Sequence, residues 1–438
     1  MKGKYYIITL GCQKNEYDSQ LISALLKSCG YEKTEEITET DILVINTCSI
    51  RDKADVKVYG RLGQYRELKK FKPNLITIVS GCLAQKDGKK LLGRFPNVNI
   101  VVGPRNISSI PYLIEYVQRT GKRRALCELG EMNFEVMPVD RDRNFSAWIP
   151  VTEGCDNRCT YCIVPYVRGA MVSRPLEHIM KEAEEFVNSG GLEITLLGQN
   201  VNAYGKDKPE YGSFNDILKK INNLKGIERI RFMSPHPANF DDKFVETMAS
   251  LEHVCGHIHL PLQSGDDTIL RRMGRRYTTQ EYASIVEKLR QAMPEIAITT
   301  DIIVGFPGET NEQFENTMAF VKEINFDGAF MFAYSEREGT PAVKINPSVP
   351  PQERLDRLNK LIEMQNNITF EKHKKLEGSE ALVLVETLSK KDGEFVTGKT
   401  DKKTVVNFTG DSSLIGKIVK VKLQKAFTWG FMGELISN

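Results

Sequence analysis

Three cysteines stand close together in the stretch 151-VTEGCDNRCTYCIVPYVRG-169. Cys155, Cys159 and Cys162 form a C-x-x-x-C-x-x-C pattern directly after an apolar run. A structural zinc site wants four ligands, and no fourth Cys or His follows Cys162 at a plausible spacing. An iron-sulfur cluster held by three cysteines keeps one iron open, and an open iron can bind a substrate or cofactor. The pattern therefore favours a cluster with one open iron.

A second group of three cysteines lies nearer the N-terminus, each after an apolar run that has the composition of a buried parallel strand. These runs are 5-YYIIT-9, 42-ILVIN-46 and 75-LITIV-79, and a fourth run is 98-VNIVVG-103. The cysteines that follow the first three runs are Cys12, Cys48 and Cys82. Parallel strands end at one edge of a sheet, where open α/β sheets bind ligands. A small buried residue is the simpler explanation for any single cysteine, but three at one edge predict a shared site.

Composition bounds the class of protein. The chain has 438 residues, enough for two or three domains, and a formal net charge of +3 neither demands nor excludes a nucleic-acid partner. The N-terminal apolar run is too short for a signal peptide, and no run approaches the roughly 20 apolar residues of a membrane span. Nine cysteines, an odd number, favour metal binding over disulfides. We expect a cytoplasmic protein without a membrane partner.

A second strand-helix series begins at the first cysteine motif. Its strand-like runs are 147–154, 192–200, 227–234, 256–265, 296–308 and 328–335. Helical patterns separate them: 176–191 carries one apolar stripe, and Thr278 with Glu281 forms a capping box. Six such units predict a partial (β/α)6 barrel, with its site at the carboxyl ends of the strands. The fold class is therefore α/β, with an open parallel-sheet domain before this barrel.

The pattern of the sequence changes near Pro350. A charged amphipathic helix, 351–378, precedes short alternating strands, which are 381–386, 394–399, 404–408 and 417–426. This pattern predicts a small all-β barrel. From Glu380 onward it holds nine Lys against seven Asp and Glu, a mildly basic balance. A solvated surface explains such lysines as well as nucleic-acid contact does.

These features together resemble a known family. The C-x-x-x-C-x-x-C motif with Tyr161 before its last cysteine resembles the radical S-adenosylmethionine (SAM) superfamily, whose fold is the partial barrel. The order of N-terminal cysteines, radical SAM barrel and C-terminal β-barrel is similar to the methylthiotransferases over the whole chain, and the small barrel would be their TRAM domain. The resemblance implies an N-terminal methylthiotransferase domain at 1–120, a radical SAM core at 141–372 and a TRAM domain at 375–438.

Within the family, short motifs favour one branch. The stretches 10-LGCQKNEYDS-19, 46-NTCSIR-51, 153-EGCDNRCTYCIVPYVRG-169, 197-LGQNVNAYG-205 and 259-HLPLQSG-265 resemble the tRNA-2-methylthio-N6-dimethylallyladenosine synthases. The branch that acts on a ribosomal-protein aspartate usually has Pro where Gln13 stands and Gly-Phe in place of Ser49 and Ile50. Lys14 and Met171 depart from the tRNA branch, which commonly has Met and Glu there. Within the family, the alternative substrates are the ribosomal-protein aspartate and a threonylcarbamoyladenosine in tRNA.

The resemblance also implies cofactors and partners. Cys155, Cys159 and Cys162 would hold a 4Fe-4S cluster that cleaves SAM to a 5′-deoxyadenosyl radical. Cys12, Cys48 and Cys82 would hold a second 4Fe-4S cluster that delivers sulfur. The partners would be the tRNA anticodon stem-loop, SAM, an external low-potential reductant and a sulfur donor. The residues expected near SAM are Tyr161, Gln199, Ser234, Gln263 and Asp301, although ordinary hydrogen bonding explains each of the last four equally well.

Other readings concern the remaining groups. Cys29, Cys127 and Cys255 fit no motif and are expected to be spare, and His257 and His259 are expected to be structural. A mildly basic TRAM domain would hold the tRNA backbone, with candidate lysines Lys402, Lys403, Lys420, Lys422 and Lys425. A non-catalytic iron-sulfur RNA-binding protein and a two-cluster electron carrier are the rival classes. An electron carrier has little use for open iron sites or for a barrel mouth rich in Gln, Ser and Asp.

Overall fold

An open parallel sheet forms the N-terminal part of the molecule. The computed structural model describes residues 2–48, 52–130, 132, 134, 138–389 and 394–437, so Ser49 and Ile50 lie outside the described residues. The strands are β1 (Gly3–Leu10), β2 (Tyr31–Lys33), β3 (Ile42–Thr47), β4 (Ile76–Gly81), β5 (Ile100–Val102) and β6 (Arg124–Leu126). They pair in the order β2-β1-β3-β4-β5-β6, each neighbouring pair parallel.

Helices cover both faces of this sheet. They are α1 (Gln13–Ser28), α2 (Asp52–Phe71), α3 (Cys82–Asp87), α4 (Lys89–Arg94) and α5 (Ile110–Thr120). Ile42 and Val44 of β3 pack in one core cluster with α1 and α5, whereas Leu43 and Ile45 pack in another with α3 and α4. Successive side chains of a strand point to opposite faces, so a sheet covered on both faces needs continuous apolar runs. The expectation of buried parallel strands is confirmed.

A partial barrel follows. Its strands are β7 (Ser146–Pro150), β8 (Thr152–Glu153), β9 (Val172–Ser173), β10 (Glu193–Leu197), β11 (Arg229–Phe232), β12 (His257–His259), β13 (Ala297–Val304) and β14 (Gly328–Ala333). Two parallel sheets, β11-β10-β7 and β12-β13-β14, are joined by a bridge between Ile230 and Val254. Six parallel strands thus run in chain order, and β8 and β9 form a short antiparallel pair. The predicted six-unit partial barrel is confirmed.

Helices alternate with the strands of the barrel along the chain. They are α6 (Val164–Arg168), α7 (Leu176–Asn188), α8 (Phe214–Asn222), α9 (Asp242–Ser250), α10 (Asp267–Arg272), α11 (Thr279–Ala292) and α12 (Asn311–Ile324). The apolar stripe predicted for α7 is buried in the barrel core through Ile179, Ala183 and Phe186. The Thr278–Glu281 capping box at the start of α11 is present. Among the helices of the described chain, none is long and apolar enough to cross a membrane.

A small closed β-barrel ends the chain. The helix α13 (Pro351–Lys374) leads into it, and its strands are β15 (Glu380–Leu388), β16 (Phe395–Thr400), β17 (Val405–Thr409), β18 (Ile418–Phe427) and β19 (Gly430–Ser437). They close in the order β15-β16-β17-β19-β18. Alternating residues such as Val383, Val385 and Phe408 fill its core. The predicted all-β barrel is confirmed.

Two arginines of β11 hold the small barrel against the partial barrel. Arg229 donates to the carbonyl oxygens of Lys399 and Leu382, both at 2.8 Å. Arg231 donates to those of Thr400 at 2.7 Å and Asp401 at 2.6 Å, and its Nε donates to Glu193 at 2.8 Å. Both side chains are buried. These two side chains lie on the opposite side of β11 from the residues that pack into the core with the helices. The small barrel therefore docks on the face of the strands that is turned away from the helices, and this face is the docking surface.

One of the lysines predicted to contact tRNA, Lys403, lies next to this docking surface. The turn between β16 and β17 enters the docking surface, where the Lys403 ammonium lies 3.4 Å from the Met233 sulfur. Burial there lowers the pKa of Lys403 to about 8, and Arg231 adds to the effect. Lys402 pairs instead with Glu295 at 3.1 Å. Lys403 is therefore a partly exposed residue beside the interdomain contact, and its contact with tRNA stays a prediction.

Replacing Arg231 with Leu should uncouple the small barrel. The change leaves Glu193 buried without its partner, and breaking a buried pair in this way costs about 3–5 kcal/mol. The free energy of unfolding is measured by urea denaturation followed by tryptophan fluorescence. The control is Arg143→Leu, which removes an exposed interdomain ion pair with Glu386 and should cost under about 1 kcal/mol. Equal losses in the two variants would contradict the assigned docking surface.

Candidate functional site

The first cysteine triad forms at the carboxyl edge of the N-terminal sheet, as the sequence predicts. Cys12 precedes α1, Cys48 follows β3, and Cys82 is the first residue of α3 after β4. The strands β1, β3 and β4 are neighbours, so the three thiols converge. The thiol of Cys48 shares hydrogen bonds with those of Cys12 and Cys82. Three sulfur donors from separate loops thus meet at one point.

The shared hydrogen bonds divide the thiols by their readiness to ionise. Hydrogen bonding from Cys48 lowers the pKa of Cys12 to about 6 and that of Cys82 to about 7. The positive charge of Arg168 lowers both further. The pKa of Cys48 is raised, because it shares its proton with two partners and is buried. Thiolates are the form of cysteine that binds metals, so this donor set fits an iron-sulfur cluster.

The backbone around this triad is fixed by an amide network and one glycine. Asn46 donates to the carbonyl oxygen of Asn15 at 2.8 Å, and Asn15 donates to that of Thr47 at 3.0 Å. Gly81, just before Cys82, has φ of 91°. A Cβ there would lie 2.2 Å from the carbonyl oxygen of Thr47. Glycine is therefore required for β3 and β4 to end this close together.

The second triad lies on the loop after β8. Cys155 is buried, whereas Cys159 and Cys162 are partly exposed. Burial raises the pKa of Cys162 to about 12 and also raises that of Cys155. Arg275 donates through Nη1 to the sulfur of Cys159 at 3.5 Å. The same guanidinium donates to the carbonyl oxygen of Pro261 at 3.1 Å, which links the loop to the segment after β12.

Tyr161 turns toward the protein interior. Its ring packs edge-on against Phe306 at 6.5 Å and belongs to a small apolar cluster with Met273. Burial raises its pKa well above the ordinary value. The structure therefore gives Tyr161 a packing role behind the cysteine loop, and its contact with SAM stays a prediction.

The residues expected near SAM lie on neighbouring strands. Gln199 follows β10, and its side-chain oxygen is buried without a partner among the described residues. Ser234 follows β11 with φ of 58°, and Gln263 follows β12 with φ of 75°. Residues other than glycine seldom adopt this left-handed conformation, and such strain concentrates at functional sites. These three side chains therefore stand at one edge of the barrel.

Asp301 is placed differently from the expectation. It lies within β13, not at its end, because the pairing of β13 with β14 continues to Val304. Its carboxylate lies 3.3 Å from His259 Nε2, and the other ring nitrogen of His259 is 3.0 Å from the Thr299 hydroxyl. His257 shares the same hydroxyl at 3.0 Å. His259, expected to be structural, thus lies within ion-pairing distance of a residue of the candidate SAM pocket.

A buried ionic network, which no sequence pattern predicted, joins the segments that carry the two cysteine triads. Arg168, just after the second triad, donates to Asp18 at 2.9 Å, to Glu153 at 2.7 Å and to the sulfur of Cys82 at 3.4 Å. Lys14 pairs with Asp18 at 3.2 Å and with Glu153 at 2.9 Å. The departure at position 14 thus supplies one charge of the network. In the sequence, the one hint of this network was the position of Arg168 shortly after the cysteine motif.

The three remaining cysteines lie apart from both triads. Cys29 ends α1, Cys255 is buried before β12, and the Cys127 thiol donates to the carbonyl oxygen of Ala84 at 3.3 Å. Burial raises the pKa of Cys127 and of Cys255 to about 11. Cys162 has a similarly raised pKa, so it is their position away from both triads that separates Cys127 and Cys255 from the candidate cluster ligands.

Comparison with known proteins defines the class. The radical SAM superfamily model matches residues 149–321, the TRAM domain model matches 374–435, and the model described as uncharacterized protein family UPF0004 matches 4–103. Among solved structures, the radical SAM methyltransferase TsrM from Kitasatospora setae superposes with a TM-score of 0.55 at 13% identity, covering 78% of this chain and 74% of that one. That likeness concerns the fold. The fold and the site together define a radical SAM enzyme.

Curated relatives define the family. The tRNA-2-methylthio-N(6)-dimethylallyladenosine synthase of Clostridium novyi (strain NT) is 45% identical over 99% of this chain and 96% of its own length. The Natranaerobius thermophilus protein of the same name is 42% identical, with coverages of 99% and 97%. The chain belongs to the tRNA-2-methylthio-N(6)-dimethylallyladenosine synthase family. Its cofactors are therefore SAM and 4Fe-4S clusters.

Replacing Gly81 with Ala should cost the N-terminal cluster. The added Cβ forces the ends of β3 and β4 apart and so separates Cys48 from Cys82. We expect a loss of about four iron atoms per chain, measured by iron analysis after anaerobic reconstitution. Gly88→Ala is the matched control. Gly81 precedes α3 and Gly88 follows it, and Gly88 also has a positive φ, of 49°, but has open space around it. Full iron loading of Gly81→Ala would show that this geometry is not needed.

Proposed function

We propose that the protein is a tRNA methylthiotransferase. It inserts sulfur and transfers a methyl group at C2 of N6-dimethylallyladenosine next to the anticodon, giving 2-methylthio-N6-dimethylallyladenosine. The observation that supports this most strongly is the buried side chain of Arg168, which follows the second triad along the chain and donates both to Cys82 of the first triad and to one carboxylate of each domain. A reaction that makes a substrate radical and then supplies sulfur needs two such sites side by side.

The six cysteines are assigned to two clusters in this proposal. Cys155, Cys159 and Cys162 hold the 4Fe-4S cluster at which SAM binds, and Cys12, Cys48 and Cys82 hold the auxiliary 4Fe-4S cluster. When bound, the two clusters supply reductive cleavage of SAM and sulfur for transfer. An external low-potential reductant and a sulfur donor complete the reaction. The chain itself contributes binding, orientation and electrostatics.

The barrel edge orients SAM. Gln199 has a buried oxygen free to accept a hydrogen bond, and the strained conformations of Ser234 and Gln263 direct polar groups to the same edge. His259, held by Thr299, fixes the carboxylate of Asp301. Arg275 keeps the Cys159 loop against this edge through Pro261. We assign these groups to SAM binding.

The small barrel holds the tRNA anticodon stem-loop. Lys422 and Lys425 are exposed on β18, Lys425 lies over the Phe427 ring, and that ring stacks on the half-exposed Trp429 at 5.0 Å. Exposed aromatics beside lysines suit single-stranded RNA, because bases stack on the rings and phosphates pair with the cations. Lys420 is engaged with Glu380 at 2.5 Å, which leaves Lys422 and Lys425 as the stronger candidates.

Replacing each triad separately tests the two-cluster assignment. The variant Cys155→Ala/Cys159→Ala/Cys162→Ala should form no 5′-deoxyadenosine with dithionite and SAM. The variant Cys12→Ala/Cys48→Ala/Cys82→Ala should still form it but should yield no methylthiolated nucleoside. Mass spectrometry of digested tRNA detects the product. No 5′-deoxyadenosine from fully loaded wild-type protein would exclude the enzyme, and methylthiolated threonylcarbamoyladenosine or ribosomal-protein aspartate would reassign the substrate.

Replacing Lys422 and Lys425 with Ala tests the tRNA surface. We expect weaker tRNA binding and a shallower dependence of log Kd on log salt, by about 0.7 for each phosphate contact with single-stranded RNA. Filter binding at several salt concentrations measures both. The control is Lys402→Ala, which removes a lysine already paired with Glu295. Point variants are preferable to deleting the small barrel, since deletion exposes Arg229 and Arg231. An unchanged salt slope would count against this surface.

A further inference from the structure

Arg168 occupies the junction between the two cysteine sites. It is the last residue of α6, which follows the loop of the second triad, yet its Nε donates to Cys82 of the first triad at 3.4 Å. Its two remaining nitrogens donate to Glu153 and Asp18, one on each domain. The side chain is only 3% exposed. One guanidinium therefore contacts the N-terminal sheet, the barrel and a cysteine thiol at once.

The charges around Arg168 balance only while it is present. Arg168 and Lys14 are cationic, and Asp18 and Glu153 are anionic, so the four side chains sum to zero. All four are buried. Each unit of charge acts more strongly at a buried site than in water. Loss of the guanidinium would leave a net charge of −1 in contact with the first triad.

We propose that Arg168 is a positioning residue that raises the reduction potential of the cluster held by Cys12, Cys48 and Cys82. This inference rests on the proposed function, because it takes the auxiliary cluster as bound there. A hydrogen bond to a cluster sulfur and a fixed positive charge both stabilise the more negative, reduced form. Arg168 supplies both at Cys82. The same contacts fix the auxiliary cluster relative to the SAM-binding loop.

The geometry requires arginine. The guanidinium presents a planar fork of donors, and here Nε, Nη1 and Nη2 serve three different partners. A lysine would keep the charge but offers a single ammonium on a flexible stem. Lysine at this position should therefore preserve part of the electrostatic effect and lose the fixed geometry.

The test measures a potential rather than turnover. The full-length protein carrying Cys155→Ala, Cys159→Ala and Cys162→Ala retains one cluster, whose midpoint potential is determined by redox titration followed by electron paramagnetic resonance. Arg168→Gln in this background should shift the midpoint to a more negative value, and Arg168→Lys should shift it less. Arg105→Gln is the matched control. Arg105→Gln removes the same charge close to Arg168, since Arg105 donates to the carbonyl oxygen of Arg168 at 2.9 Å. However, all three described hydrogen bonds of Arg105 go to backbone oxygens and not to a cysteine sulfur.

The possible results distinguish the role of Arg168 from the two-cluster assignment. An Arg168→Gln midpoint equal to that of the parent, or an equal shift in Arg105→Gln, would overturn the inference while leaving the two-cluster assignment intact. A parent protein without any cluster would overturn both. If Arg168→Gln fails to take up iron, Arg168→Gln/Asp18→Asn removes one carboxylate together with the guanidinium, and the remaining pair, Lys14 and Glu153, keeps the net charge at zero as in the parent. Its midpoint should still be more negative, because the hydrogen bond to Cys82 is lost, and an unchanged midpoint in that variant would equally overturn the inference.

Discussion

A buried charge needs a partner, and this constraint fixes how the N-terminal sheet and the partial barrel meet. Arg168 and Glu153 belong to the barrel, whereas Lys14 and Asp18 belong to α1 of the sheet domain. Separating the two domains would break the two ion pairs that cross the interface, Arg168–Asp18 and Lys14–Glu153, and would leave each domain with one internal pair. The interface therefore has one favoured arrangement. That arrangement packs Cys82 of the first triad against Ile163, which directly follows Cys162 of the second.

The cysteines reach this interface because of how parallel sheets are built. In the N-terminal sheet, β1, β3 and β4 all point their carboxyl ends the same way, so the residues that follow them share an edge. In the barrel, the second triad lies on the loop after the first strand, and Ser234 and Gln263 follow later strands. Both domains thus present their ligand-binding edges, and the ionic network aligns the two edges.

The small barrel is joined to the rest by a different interaction. Arg229 and Arg231 donate to backbone carbonyl oxygens of the small barrel, so the attachment depends little on which side chains that barrel carries. Its outer surface, with Lys425, Phe427 and Trp429, is then free to serve recognition. In the proposed function, attachment and tRNA recognition thus use separate surfaces of one domain.

Much of the architecture followed from local sequence patterns. The apolar runs before Cys12, Cys48 and Cys82 identified β1, β3 and β4, because a strand covered on both faces must be apolar throughout. The short strands β2 and β6 were missed, since three residues with charged neighbours carry no period. The six barrel strands were recognised from apolar runs of the same kind as those of the N-terminal sheet. Closely spaced cysteines identified one triad, and their repeated position after strands identified the other.

What the sequence determined by itself was therefore everything encoded within one strand, one helix or one loop: the elements, the order of domains and the two sets of cysteines. The tertiary structure alone decided which distant side chains meet. Arg168 and Asp18 stand 150 positions apart, and Lys403 looked like any surface lysine until the docking of the small barrel placed it beside Met233. Such contacts depend on how folded domains pack, and no local period or spacing records that packing.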